Sequence, residues 1–272
     1  LFELIIADVE GVIAPAGGSE YAWNLDHFVR LREQIARLGV PCVLCTGRPV
    51  PYAEALFQAL EMLHPLPSGV RRRLRAASGG RPFRGWPSIV ENGACFYDPL
   101  TKLAVPHPAL TPPIREAFSE VRRRILEPLA CRTGAQIEAG KDYSVAIAPP
   151  FQGGDGVRVS PAAFRSVVEE ALGDSAQLLE VANSQSAVDL TPKGVSKASA
   201  LRVLLDWSGL DPAAVLGVGD TLADEAWLAA VGFSAAPSNG DPALTGIHYR
   251  ASQPETLGLC EILEHVAALD GM

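Results

Sequence analysis

The chain is short of positive charge. Among its 272 residues, 23 lysines and arginines face 31 acidic residues, for a formal net charge of −8. That balance leaves no electrostatic footprint for nucleic acid, and an acidic protein tends to repel phosphate-rich polymers in bulk. A small anionic substrate stays compatible with it, because a metal and a few local cations can invert the field inside one cleft. Long hydrophobic runs are absent too: no stretch approaches the ~18 apolar residues that a membrane span needs. The opening segment, LFELIIAD, is short, is interrupted by Glu3 and has no basic flank, so no export signal is read there and a cytoplasmic location is expected. With no initiator methionine, the chain is expected to start just inside its gene product. Cysteines are few and odd in number, at positions 42, 45, 95, 131 and 260. No set of Cys and His spacings fits a zinc site. Cys42 and Cys45 lie in an apolar run rather than at a helix start, so they read as core thiols, not as a redox pair.

What is present is apolar material, 48% of the residues, enough for one large domain or two smaller ones. Residues 2–7 and 40–46 are short, largely apolar runs. Between them, Leu25, Phe28, Val29, Leu31, Ile35 and Leu38 recur with helical period before Gly39. Strand, helix, strand with both strands largely apolar predicts a parallel sheet covered on both faces. A second helix is expected over 51–63. Residues 68–87 are basic and glycine-rich, and two readings stand for them: an anion-binding arm, or a solvated helix end and surface loop. Residues 87–98 read as strand, Asn92–Gly93 turn and strand. The rhythm then changes. Helices are expected over 112–130 and 161–172, an alternating strand over 142–150, a turn at 152–156, and two strands within 176–192 joined around 183–186. This is the pattern of a small α+β domain inserted at 95–188 into a core of residues 1–94 and 189–272. The βα rhythm returns with helices at 196–207, 225–231 and 254–269 and strands at 214–220 and 233–239, with a last strand at the end of 243–251.

Four polar groups interrupt the apolar pattern at strand ends, where open parallel sheets bind ligands. They are Asp8, Glu10 and Gly11; Thr46, Gly47 and Arg48; Lys193 and Lys197; and Gly219, Asp220 and Asp224. Each alone is weak, since an Asp after a strand is commonly a helix cap. Together they supply a nucleophile, an acid/base, a hydroxyl donor, a cation and further carboxylates.

In order and context these motifs resemble those of the haloacid dehalogenase superfamily, over the regions before about 95 and after about 188. The ENGA at 91–94, the insertion that follows it and TPKGVSKASAL at 191–201 resemble the C2-capped, type IIB branch, which includes Cof-type sugar phosphatases, sucrose-phosphate phosphatase and phosphomannomutase. The resemblance implies an α/β fold, a three-layer Rossmann-like core with a parallel central sheet plus an inserted α+β C2 cap. It implies a Mg²⁺-dependent phosphomonoester hydrolase acting on a small phosphorylated metabolite such as a sugar phosphate. Asp8 would be the nucleophile that becomes an aspartyl-phosphate, and Glu10 the acid/base. Mg²⁺ would be held by Asp8, the Glu10 carbonyl and Asp220, with Asp224 holding a metal-bound water or positioning Lys197. Thr46 would donate to phosphoryl oxygens, and Lys197 would neutralise their charge.

Two departures stand out. Glu10 replaces the usual second Asp of Asp-x-Asp, which keeps a carboxylate on a longer arm. Ala223 replaces the Asn of the Cof-type pattern, removing one hydrogen-bonding group near the metal shell. Substrate contacts are expected from Gly47, and two readings each stand for Arg48 (substrate contact or surface pair), Asn92 and Asn239 (site residue or plain turn). Lys141, Tyr143, Arg158, Gln185 and Ser186 are candidates in the cap, each with a plain structural alternative. Phosphotransfer or mutase chemistry, and a non-catalytic binding protein on the same fold, remain the alternatives. The sequence does not fix monomer or homodimer.

Overall fold

The first apolar run becomes a strand with no solvent-facing side: Leu4–Ala7 (β1) is buried throughout. In the computed structural model, which describes residues 2–16, 22–152 and 156–270, β1 is followed by Leu25–Leu38 (α1), Cys42–Leu44 (β2), Val50–Leu60 (α2), Ser68–Ala77 (α3), Ser88–Val90 (β3), Cys95–Asp98 (β4) and Leu103–Pro106 (β5). Next come Pro112–Val121 (α4), Glu127–Thr133 (α5), Gln136–Ile137 (β6), Val145–Ala148 (β7), Phe151–Gln152 (β8), Val157–Arg158 (β9), Pro161–Leu172 (α6), Leu179–Asn183 (β10) and Val188–Pro192 (β11). The chain closes with Lys197–Ser208 (α7), Val215–Val218 (β12), Glu225–Leu228 (α8), Phe233–Ala236 (β13), Tyr249–Arg250 (β14) and Glu255–Asp270 (α9). Of the turn predicted at 152–156, residues 153–155 lie outside the described residues.

Local chemistry sets several boundaries. Asn24 Oδ1 accepts from the amides of Asp26 and His27 at 3.1 and 3.3 Å and starts α1. Gly39, at φ 66°, ends it in the left-handed region. The helix expected over 112–130 runs further, to Thr133. Arg122–Leu126 is a π-helical segment placed just before Pro128, where a wider turn accommodates a ring that would collide with a regular helix.

The chain divides into two units, Leu1–Val105 with Lys197–Met272, and Pro106–Ser196. The first holds a five-stranded sheet in the order β14-β13-β12-β1-β2, and every pair in it is parallel. A bridge between Cys45 and Ile89 links it to the three-stranded β3-β4-β5 sheet. The second unit is a four-stranded antiparallel sheet, β10-β11-β7-β6. Its apolar side, Val145, Ile147, Val188 and Leu190, packs against Phe118, Leu126, Phe164 and Val168 of the helices. This is an α/β core with a parallel central sheet and an inserted α+β region.

The division differs from the expected insertion at 95–188 at both ends. Cys95–Asp98 is laddered to Ser88–Val90 and stays with the core. Val188–Pro192 runs between β10 and β7 and stays with the insertion. Two-residue strands such as β6, β8 and β9 carry too few residues for a period to be read.

Within the insertion, Lys141 is buried, its Nζ 3.0 Å from Glu138 Oε2 and 3.7 Å from Asp189 Oδ1. Arg158 lies over the Phe151 ring and donates to Pro149 O and Gln136 Oε1. Both make these contacts within the insertion itself. Gln185 and Ser186 are exposed in the β10–β11 turn, and Tyr143 lines a small depression with Arg115 and Phe118.

In the core, the arm at 68–87 forms α3 and a loop whose arginines are exposed, Arg73 donating from Nε to Ser208 O at 2.6 Å, while Val70, Leu74, Phe83 and Trp86 are buried. The buried carboxylate of Asp98 accepts from the amides of Arg84 and Gly85 and fixes that loop. Among the described residues no helix is long and apolar enough to cross a membrane.

Candidate active site

Asp8 stands one residue beyond β1. Its amide donates to Val218 O at 2.8 Å, so the ladder between β1 and β12 continues to the residue itself. Asp8 Oδ1 accepts from Val9 N at 2.7 Å, and Oδ2 from Lys197 Nζ at 2.7 Å. Lys197, the first residue of α7, also reaches Asp224 Oδ1 at 2.8 Å. The turn after Asp8 is tight: Gly11 N donates to Ala14 O, and Gly11 adopts φ 72°. A Cβ at Gly11 would lie 1.9 Å from Asp220 Oδ2, so this glycine is what lets the loops after β1 and β12 meet.

The second motif follows β2. Thr46 is fully buried, and its Oγ1 accepts from the Arg48 amide at 3.1 Å. Its backbone is tied to the β3–β4 turn through Thr46 N to Ile89 O and Asn92 N to Thr46 O. Asn92 holds φ 57° and lies so close that a Cβ on Gly47 would sit 2.8 Å from its Oδ1. The expected sites at Gly47 and Asn92 are therefore adjacent. Arg48 Nε pairs with Glu10 Oε1, and its guanidinium lies 4.8 Å from the centre of the Tyr52 ring.

Asp220 follows β12, and Asp224 sits in the turn beyond it. Asp224 is saturated. Oδ1 accepts from Lys197 and from Trp227 Nε1 at 2.9 Å, while Oδ2 accepts from Asp220 N, Thr221 N and Thr221 Oγ1 at 3.1–3.2 Å. Of the two readings for Asp224, this bonding favours the one that positions Lys197. Asn239 donates from Nδ2 to Gly11 O at 2.9 Å and accepts from Glu255 N at 2.7 Å. It therefore braces the loop behind Asp8 against the start of α9.

The charges are crowded. Burial, then Asp224, pushes the Asp8 carboxyl well above the usual carboxylate range despite Lys197. Burial and Asp224 likewise push Asp220 up to about 7. For Lys197, burial works against the charge, but Asp224 and Asp8 outweigh it and hold the ammonium above its ordinary value. Burial would raise Asp224 too, yet Lys197 and the surrounding donors hold it low. Oxygens of Asp8, Asp220 and Asp224 lie within 4.8 Å of one another. With Glu10, four carboxylates face the two cations Lys197 and Arg48. An all-oxygen donor set in which carboxylates outnumber cations could coordinate a hard divalent cation, whose charge would also favour the ionised carboxylates.

All the residues expected at the site, Asp8, Glu10, Thr46, Gly47, Arg48, Asn92, Lys197, Asp220, Asp224 and Asn239, thus belong to the core unit. Two supports were not anticipated. Thr221 and Asp224 form a capping box, whose T-x-x-D spacing was legible. Trp227, three residues after Asp224, had no such signal and reads in sequence as plain core.

Comparison with known proteins agrees with this architecture. The profile of haloacid dehalogenase-like hydrolases matches residues 162–250. A phosphoglycolate phosphatase of Methanopyrus kandleri is 27% identical over 248 residues, covering 87% of this chain and 84% of that protein. Among solved structures, a haloacid dehalogenase-like hydrolase from Bacteroides thetaiotaomicron superposes with a TM-score of 0.67 at 16% identity, over 98% of this chain and 100% of that one. The sucrose-phosphatase of Synechocystis superposes with a TM-score of 0.63 at 17% identity, over 99% of both chains. The chain thus has the fold of the haloacid dehalogenase-like hydrolases, with a cap domain inserted into the core.

Proposed function

We propose that this chain is a Mg²⁺-dependent phosphatase of small phosphorylated metabolites, working through an aspartyl-phosphate on Asp8. The observation that carries the reading is the buried Asp8 carboxylate, 2.7 Å from Lys197 and clustered with Asp220 and Asp224. Asp8 attacks phosphorus as the ester oxygen leaves, and Glu10 gives that oxygen a proton. In the second step Glu10 takes a proton from water, the water oxygen bonds to phosphorus, and Asp8 is released with inorganic phosphate. Thr46 Oγ1, the Gly47 amide and Lys197 hold the phosphoryl oxygens, and Asn92 borders them beside Gly47. Asp224 keeps Lys197 pointed at Asp8, and Asn239 shapes the loop. Asp8, Asp220 and the Glu10 carbonyl would hold Mg²⁺, which when bound supplies positive charge against the phosphoryl group.

The likeness to a phosphoglycolate phosphatase supports 2-phosphoglycolate as the first substrate to try, and the likeness to sucrose-phosphatase supports sugar phosphates as the second. The test is phosphate release from both at ~1 mM with Mg²⁺, with Asp8→Asn as the control and an added alcohol to detect transfer. Release by the parent and none by Asp8→Asn is the expected result. Transfer without release would turn the reading into a phosphotransferase. Neither, with both proteins alike across a broad panel, would leave a binding protein on this fold.

A further inference from the structure

Glu10 is longer by one methylene than the aspartate it replaces, and each added torsion makes a carboxylate harder to hold on a reacting atom. Immobilising a long side chain costs rotamer entropy, and a displacement of about 1 Å can cost roughly a hundredfold in rate. Something should therefore hold this carboxylate, and one cation does. Arg48 Nε pairs with Glu10 Oε1.

The arginine is itself held from three sides. Its amide donates to Thr46 Oγ1 at 3.1 Å, and its carbonyl accepts from Glu91 N at 3.0 Å. Its guanidinium lies over the Tyr52 ring, and Trp23 stands edge-on to Tyr52 with centroids 5.5 Å apart. The Glu10 backbone is fixed as well, by its bridge to Ala14 and by the Asn239 brace on the next residue. Both ends of the ion pair thus stand on rigid backbone, and their side chains are only 16% and 28% exposed for Arg48 and Glu10. A planar guanidinium can pair in its plane and stack on an aromatic face at the same time, which an ammonium cannot do.

We propose that Arg48 is a positioning residue for Glu10: it orients the acid/base carboxylate rather than binding the substrate phosphate. The proposal rests on the phosphatase reading above. It gives Arg48 a role that depends on Glu10 being present, and that dependence is measurable.

The experiment is a double-mutant cycle of Arg48→Ala and Glu10→Gln, read as kcat and KM separately, with inhibition by inorganic phosphate measured for each protein. Arg48→Lys and a thermal melt of every variant accompany it. Arg48→Ala should lower kcat by about 10–100-fold, with KM and phosphate inhibition within about threefold of the parent. Glu10→Gln should lower kcat by about 10²–10⁴-fold. The double variant should be no slower than Glu10→Gln, because an orienter has nothing left to orient. Arg48→Lys should restore only part of the loss. An Arg48→Ala drop of equal size in both backgrounds, or a tenfold weakening of phosphate inhibition, would make Arg48 an anion contact and overturn the proposal. Parent-like kcat in a folded Arg48→Ala would overturn it also. A parent that hydrolyses no ester, indistinguishable from Asp8→Asn, would instead overturn the phosphatase reading, and the role of the pair with it.

Discussion

Lys197 Nζ lies 2.7 Å from Asp8 Oδ2 although the two are 189 positions apart in the chain. The same ammonium neutralises Asp224, so its removal leaves two buried carboxylates facing each other. On the phosphatase reading proposed above, Lys197→Met should lose about 10²–10³-fold in kcat, the loss that follows removal of a preorganised transition-state donor. It should also lose about 3–5 kcal/mol of stability, because breaking a buried pair strands the partner charge. Urea denaturation and phosphate release measure the two effects. A variant as stable as the parent would mean that Asp8 and Asp224 take up protons without strain.

Gly11→Ala is expected to damage the proposed cation site more than its small size suggests. The new methyl would fall on Asp220 Oδ2, and the position requires a left-handed φ of 72°, which costs an L-residue roughly 1–2 kcal/mol. The parent's melting temperature should rise with Mg²⁺, whereas that of Gly11→Ala should start lower and respond little. An equal Mg²⁺ response would show that Asp220 is not needed for binding.

Trp227→Phe tests the support behind Asp224. An aromatic ring remains, but the indole N–H to Asp224 Oδ1 is lost together with the volume of the second ring at a fully buried position. The other donors to Asp224 remain, so stability should fall by about 1–3 kcal/mol and kcat by less than in Lys197→Met. Equal losses in the two variants would show that Trp227 is as important to the site as the lysine.

Acid stability should depend on Glu261. Its carboxylate accepts from the Ser252 amide and hydroxyl, the Gln253 amide and the Tyr249 hydroxyl, and these bonds hold it down to about 2 from an ordinary 4.5. A depressed folded-state value means that the contribution is complete above the unfolded value and is lost as pH falls from about 4.5 to about 2. Glu261→Gln should therefore melt lower than the parent near neutrality, and the gap should close across that window. A gap independent of pH would exclude the carboxylate as its source.

Much of this was legible in the sequence. The predicted helices at 25–38 and 161–172 match α1 and α6 because their apolar residues recur at helical period and Asn24, Gly39 and Ser160 mark their ends. The candidate site could be assembled from strand-end motifs, because the carboxyl ends of parallel strands are where open sheets bind ligands. What was not legible depends on contacts across the fold. Nothing local assigns the Arg48 guanidinium to Glu10, or the Trp227 indole to Asp224. The N-terminal edge of the insertion was displaced for a different reason: the strand, turn, strand reading of 87–98 already joins Cys95–Asp98 to Ser88–Val90, and a boundary at 95 cuts through that hairpin.

The position of β1 in the sheet has a consequence for synthesis. One of its edges is covered by Cys42–Leu44, a short stretch of chain later, but the other waits for Val215–Val218. At ribosomal rates of about 5–20 residues per second, the second neighbour emerges roughly 10–40 seconds after the first strand. Throughout that interval a wholly apolar strand has an unpaired edge, the form most open to capture by another chain.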